Sequence, residues 1–189
     1  MDLVERPPRI VRWTLWLEQL AALDRPVHAV EPVISSWFGT GARGSALRGE
    51  WLGHALHPTL TDLAIGTWVS ATVLDLVGGP DAAGAARTLV GTGVLVAGPT
   101  AWTGWAEWSA LPARDKRVGL VHAVSNGVAI GVYAASWAAR RRGRHRTGAR
   151  LALAGAGLSG FGAYLGGHLV AARGLASHHP AYDGPGPAP

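Results

Sequence analysis

The sequence predicts an all-α fold, an integral membrane four-helix bundle preceded by an N-terminal interfacial helical segment. Charged residues make up only 15% of the 189 residues, well below the roughly 25% that is usual in soluble domains. Glycine and tryptophan are frequent, with 27 and 9 residues, as is typical of membrane helices and their interfaces. In addition, several apolar stretches have about the 20 residues that a helix needs to cross a bilayer.

Four stretches are candidate spans. Residues 88–106, 118–139 and 151–172 contain no charged side chain, and residues 59–79 are apolar apart from Asp62 and Asp75. The alternative is a soluble bundle with buried helices, which three long uncharged stretches in so short a chain disfavour. Residues 50–174 therefore form the predicted four-span membrane domain.

The connections between the spans are marked by turn residues and charges. Pro58 suits the first turn of a helix, "GGPD" ends the first span, and "SALPARDKR" and "RRRGRHRTGAR" are loops. The second of these loops has six arginines and no acid, which favours a cytoplasmic position. We expect Asp75 either to pair with Arg87 across the first short loop or to contact water.

The two ends of the chain differ from the spans. In residues 1–49, "RIVRWTLWLEQLAAL" places Ile10, Trp13, Leu17 and Leu20 at helical spacing, which indicates either a helix at the membrane interface or one packed on the end of the bundle. Residues 175–189 end in "DGPGPAP" and are predicted to be disordered. The N-terminus lacks the apolar core of a cleavable signal peptide.

Small residues recur along the third predicted span. They lie four positions apart, at Ala123, Gly127, Gly131 and Ala135. Such a spacing allows helix backbones to approach closely in lipid. The pattern therefore predicts that this face packs inside the bundle.

Histidines are predicted to meet at one membrane face, because four antiparallel spans bring alternate helix ends to the same level. The candidate cofactor or metal ligands are His54, His57, His122 and His168. Imidazole binds haem iron, zinc and copper, and helical bundles build such sites from facing helices. The expected supporting polar residues at this level are Asp62, Glu107 and Asn126.

Three functions fit this pattern. The first is a redox or electron-transfer subunit that binds b-type haem or a metal through these histidines. The second is a non-catalytic membrane scaffold or anchor, and the third is a small proton-coupled transporter or channel. The absence of cysteine excludes thiolate ligands and covalent haem attachment, and no catalytic residues are assigned, so enzymatic activity stays open.

The expected partners follow from the same features. The lipid bilayer surrounds the spans, a redox partner protein belongs to the haem hypothesis, and a homo-oligomer is compatible with the sequence. Nucleic acid is not expected, because the densest arginine run lies between two apolar stretches. "GTGARG" lacks the lysine and the spacing of a phosphate-binding loop.

Specific strings resemble a known family. "WLGHALHPTLTDLAIGTWVSATVLDLVGG", "RVGLVHAVSNGVAIGVYAASW" and "AYLGGHLV" resemble the bacterial membrane family catalogued as domain of unknown function 2231. The resemblance covers about residues 51–174, and its strongest element is the paired histidine–proline motif. It implies a four-helix, multi-pass integral membrane protein of the bacterial inner (plasma) membrane, but no settled activity. Some members carry a Rieske-type iron–sulfur domain after the fourth span, so a redox context is implied by association only.

Overall fold

Seven helices account for most of the residues described by the computed structural model, which are residues 6–183. The described residues form no strand, although one isolated β-bridge is present. The three N-terminal helices are α1 (Arg9–Gln19), α2 (Asp24–Ile34) and α3 (Gly41–Arg48). The four long helices are α4 (His57–Val77), α5 (Ala83–Ser109), α6 (Ala113–Arg141) and α7 (His145–Gly167). The all-α prediction is confirmed.

The four long helices pack as two hairpins. Helices α4 and α5 form one hairpin, α6 and α7 form the other, and α5 packs against α6. Only α4 and α6 are long and apolar enough to qualify as candidate membrane spans. Helices α5 and α7 are also long, but their many glycine, alanine, threonine and serine residues make them less hydrophobic.

Aromatic stacking fills the middle of the bundle. The Trp68 ring of α4 stacks on the Tyr133 ring of α6, with centroids 4.0 Å apart and an interplanar angle of 9°. Glycines make this possible, because a Cβ at Gly93 would collide with the Trp68 indole and one at Gly155 would lie 2.9 Å from the Tyr133 ring. These small residues are therefore core residues that receive large neighbours.

A buried ion pair closes the end of the bundle near the α6–α7 turn. The Arg140 guanidinium is 1% exposed and donates two hydrogen bonds to the Asp75 carboxylate, one of them 2.7 Å long. The prediction that Asp75 pairs with Arg87 is wrong. Helix α6 rather than the short α4–α5 turn supplies the cation, because Arg140 lies inside the bundle.

The N-terminal helices pack on the opposite end of the bundle. Leu17 of α1 contacts a cluster that includes Val118, Leu165 and Leu169. Asp24 accepts hydrogen bonds from Arg117, and Glu31 accepts one from Lys116. Of the two arrangements expected for this segment, the structure has the one in which it packs on the end of the bundle. A position at a membrane interface stays a prediction.

The predicted packing of the small-residue face of α6 holds only in part. Ala123 and Gly127 line the cavity between the helices. Gly131 is exposed and has no atom within 4 Å of a Cβ added there, so the prediction that this glycine packs inside the bundle is wrong. Residues 175–183 of the expected disordered tail are held by hydrogen bonds such as Ala55 N to Ser177 O, at 2.7 Å. Residues 184–189 of the tail lie outside the described residues.

Candidate functional site

His57 lies at the start of α4 and is oriented by the neighbouring helix. Its Nδ1 is 2.9 Å from the carbonyl oxygen of Thr100 on α5. A carbonyl oxygen only accepts hydrogen bonds, so Nδ1 is the donor and carries the proton. The other ring nitrogen, Nε2, keeps its lone pair and points away from that carbonyl.

His122 on α6 has the same arrangement within the other hairpin. Its Nδ1 is 2.8 Å from the carbonyl oxygen of Gly162 on α7. The Asn126 amide nitrogen, one helical turn further along α6, lies 3.3 Å from Nδ1 and 3.2 Å from Nε2, so it lies beside the ring and not along the lone pair of Nε2. The Gly162 carbonyl assigns the tautomer, in which Nδ1 donates and Nε2 keeps its lone pair.

The two histidine rings face each other across the space between the hairpins. Their centroids are 6.2 Å apart and their planes are nearly perpendicular, at 79°. Glycines on the partner helices make room for the rings. A Cβ at Gly104 would lie 2.8 Å from His57 Cε1, and one at Gly166 would lie 2.9 Å from His122 Cε1.

A cavity of about 300 Å³ surrounds the pair and is lined by all four long helices. Most of its lining is alanine, glycine, aliphatic or aromatic. The polar or titratable side chains in the lining are His57, His122, Thr61, Thr100, Glu107, Asn126 and Ser159, together with the indoles of Trp68, Trp105 and Trp108. The cavity is therefore mainly apolar, with two imidazoles and the Glu107 carboxyl group as its titratable groups.

The other two predicted histidine ligands lie elsewhere. His54 is exposed, in the loop before α4, and forms the isolated bridge with His178. His168 Nε2 is 2.7 Å from Glu18 Oε1, so α1 supplies its partner. The predicted convergence of four histidines is thus reduced to the pair His57 and His122, and among residues 6–183 no three His, Cys, Asp or Glu side chains are grouped to hold a metal ion.

Of the three predicted supporting residues, two line the cavity and one does not. Asn126 contacts His122 as described, whereas Asp62 is exposed on α4 and does not line the cavity. Glu107 lines the cavity, and its Oε2 accepts hydrogen bonds from the Ser177 backbone nitrogen and hydroxyl, at 3.1 and 2.8 Å. Its Oε1 is buried without a hydrogen-bond partner among the described residues.

The family relationship is decided by a family model that matches residues 53–179. The chain belongs to the DUF2231 family. The description of that family is "predicted membrane protein", in agreement with the two candidate spans α4 and α6. The match begins at Gly53, so it includes the whole histidine–proline motif, both cavity histidines and residues 175–179. No curated protein and no solved structure matches the chain significantly, so the DUF2231 assignment indicates a membrane protein of unknown function.

Two features of this DUF2231 site were missed by sequence reasoning. The orienting groups of His57 and His122 are backbone carbonyls, which leave no residue signature. Glu18 is a charged residue within the amphipathic pattern of α1, yet it is 2% exposed and binds His168. A carboxylate beside Leu17 in α1 was the available signal, but its partner is 150 positions away in the sequence.

Proposed function

We propose that all four long helices cross the membrane. Helices α4 to α7 have 21, 27, 29 and 23 residues, and at about 1.5 Å per residue each exceeds the roughly 30 Å of a bilayer core. Large apolar side chains are exposed on the bundle surface, including Leu76, Leu95, Val124 and Leu153. Lipid contact accounts for these exposed side chains, and the family description supports it.

We propose further that the cavity binds haem b, with His57 and His122 as the axial ligands. With metal–nitrogen bonds of about 2 Å, two imidazoles on opposite sides of one metal ion have ring centres about 6 Å apart. The observed 6.2 Å between the rings, with an accepting Nε2 on each, is the observation that carries the proposal. Bound haem would supply one-electron redox chemistry.

The surrounding residues suit that role. Hydrogen bonds from each Nδ1 to a carbonyl fix the tautomer and the ring orientation, as partners of metal-bound histidines commonly do. The glycines at positions 104 and 166 leave space beside each ring. The apolar lining disfavours water around a bound haem. A redox partner protein would exchange electrons with the haem at the end of the bundle where the cavity lies.

A non-catalytic membrane anchor is the second candidate. It is favoured by the Asn126 amide, which packs beside the His122 ring in contact with both ring nitrogens. It is also favoured by the lack, among residues 6–183, of a group of three His, Cys, Asp or Glu side chains that could hold a metal ion. The transporter hypothesis receives less support, because Asp62 is exposed away from the cavity.

An absorption spectrum of the full chain tests the proposal. The protein is expressed with haem supply, purified in detergent and measured oxidised and after reduction with dithionite. We expect a Soret band and, on reduction, the sharp alpha band of a low-spin haem b. A protein without any visible chromophore would contradict haem binding and favour the anchor.

A further inference from the structure

A short segment after α7 lies across the end of the cavity. This strap comprises residues 174–179, and its Leu175 and Ala176 form part of the cavity lining. Its first residue, Gly174, has a φ of +65°, a conformation that favours glycine. The preceding Arg173 is fixed by hydrogen bonds to Glu18, at 2.7 and 2.6 Å. The root of the strap is therefore anchored, and Gly174 marks where the chain changes direction.

The strap is held along its length. Near its root, Leu175 N donates to Leu169 O at 3.0 Å, and the Leu175 side chain packs on the cluster that includes Leu17. Ser177 donates twice to Glu107 Oε2, and its carbonyl oxygen accepts from Ala55 N at 2.7 Å. His179 N donates to Gly53 O at 2.8 Å. The strap thus pairs with the loop that leads directly into His57.

Only one of the two carboxylate oxygens of Glu107 has a hydrogen-bond partner within residues 6–183 when the strap is closed. One carboxylate oxygen holds Ser177, while the other is buried in the cavity wall without a partner among the described residues. A buried acceptor that loses water without gaining a hydrogen bond opposes burial. The closed strap is therefore opposed by the same residue that holds it.

We propose that the strap is the gate of the histidine cavity, held closed by Glu107 and opening about Gly174 to admit the ligand. Where that ligand is haem, the inference rests on the proposed function. The movement breaks the bonds of Ser177 and His179, the Leu175 N–Leu169 O bond and the packing of Leu175 on the cluster around Leu17, and it leaves Arg173 in place. The entrance then lies at the end of the bundle, beside the loop of Gly53 to Ala55.

A disulfide lock tests the gate. His54 and His178 are paired in the antiparallel bridge, and the flanking bonds make them a non-hydrogen-bonded pair, whose Cα atoms are about 4.5 Å apart. This spacing accepts a disulfide, and the chain has no other cysteine. In haem-free His54→Cys/His178→Cys protein, we expect hemin uptake to be at least tenfold slower when oxidised than after dithiothreitol. The two single variants, treated with the same oxidant, are the controls.

A second measurement needs no haem. An Ala176→Cys reporter faces the cavity when the strap is closed, so its reaction with a maleimide reports opening. Glu107→Ala should speed this reaction several-fold. Glu50→Ala is the matched control, since Glu50 binds Ser45 and Arg48 rather than the strap, and it should leave the rate unchanged.

The outcomes separate the two proposals. If hemin enters the locked and unlocked forms equally fast, the strap is not the gate and the ligand enters between the helices. If neither form takes up hemin, the proposal of haem binding is contradicted, and the maleimide reaction of the Ala176→Cys reporter then tests the gate by itself. A labelling rate that does not respond to Glu107→Ala then overturns the gate, and a faster rate supports it.

Discussion

The two ends of the four-helix bundle are packed in opposite ways. Near the α6–α7 turn, Arg140 and Asp75 form a buried pair, and toward the middle the Trp68 and Tyr133 rings stack. At the other end, a cavity surrounds His57 and His122 and is lined in part by Leu175 and Ala176 of the strap, and the N-terminal helices pack on that end. The filled end fixes the relative positions of the helices, so the open end can keep a cavity without the bundle collapsing into it.

Removing the buried ion pair should have the largest effect on stability. Arg140→Met leaves Asp75 with no cation, and loss of one partner of a buried pair typically costs about 3–5 kcal/mol. Unfolding of the purified protein in detergent measures this cost. Adding Asp75→Leu to Arg140→Met should recover most of the loss, and Arg142→Met in the exposed loop should change little. Equal effects of Arg140→Met and Arg142→Met would show that the pair does not fix this end.

The contacts that attach the N-terminal helices to the cavity end should contribute less to stability than the buried ion pair, and their contribution should depend on pH. Burial of Glu18 opposes its ionisation, but hydrogen bonds from Arg173 and His168 outweigh it and hold the pKa of the carboxyl below its ordinary value of 4.5. Because the pKa is lower in the folded protein, the unfolded chain binds the proton of Glu18 more strongly. The stabilisation is therefore fully present above the ordinary pKa of 4.5, and it is lost as the pH falls through the lowered pKa of the folded protein.

Glu18→Gln tests this contribution. At neutral pH it should destabilise the protein by about 1.5–3 kcal/mol, the range for hydrogen bonds to charged groups. The difference from wild type in melting temperature should shrink as the pH falls from about 5 to about 3. Asp62→Asn, at an exposed position, is the control and should change neither value. A difference that stays constant with pH would contradict the ion-pair account.

Glycine substitutions compare the core with the outer surface. Gly93→Ala directs a methyl group into the Trp68 indole, and such overpacking typically costs about 1–3 kcal/mol. Gly131→Ala meets no atom within 4 Å and should leave the melting temperature nearly unchanged. The reverse order would mean that Gly131 packs inside the bundle after all.

The sequence predicted the helices better than their rotation. Apolar length and turn residues placed the four long helices, and antiparallel order placed the histidines at a common level. Level alone does not decide which way a side chain points. Rotation about the helix axis turns Asp62 and Gly131 outward while it turns His122 and Asn126 toward the cavity.

Long-range partners explain the remaining differences at the site. His168 is at the predicted end of the bundle, but Glu18 arrives from α1 and binds it. His54 precedes α4 and pairs through its backbone with the C-terminal segment. Neither contact follows from local periodicity, because each joins residues more than 100 positions apart.

The most direct test of the central claim is the haem content of four single-histidine variants, measured from the Soret band per mole of folded protein. His57→Ala and His122→Ala remove the facing pair and should each abolish or nearly abolish the band. His54→Ala and His168→Ala remove histidines of the same sequence pattern that lie outside the cavity, and they should retain haem close to the wild-type level. Full haem in both His57→Ala and His122→Ala would contradict the assignment of this pair as the ligand site.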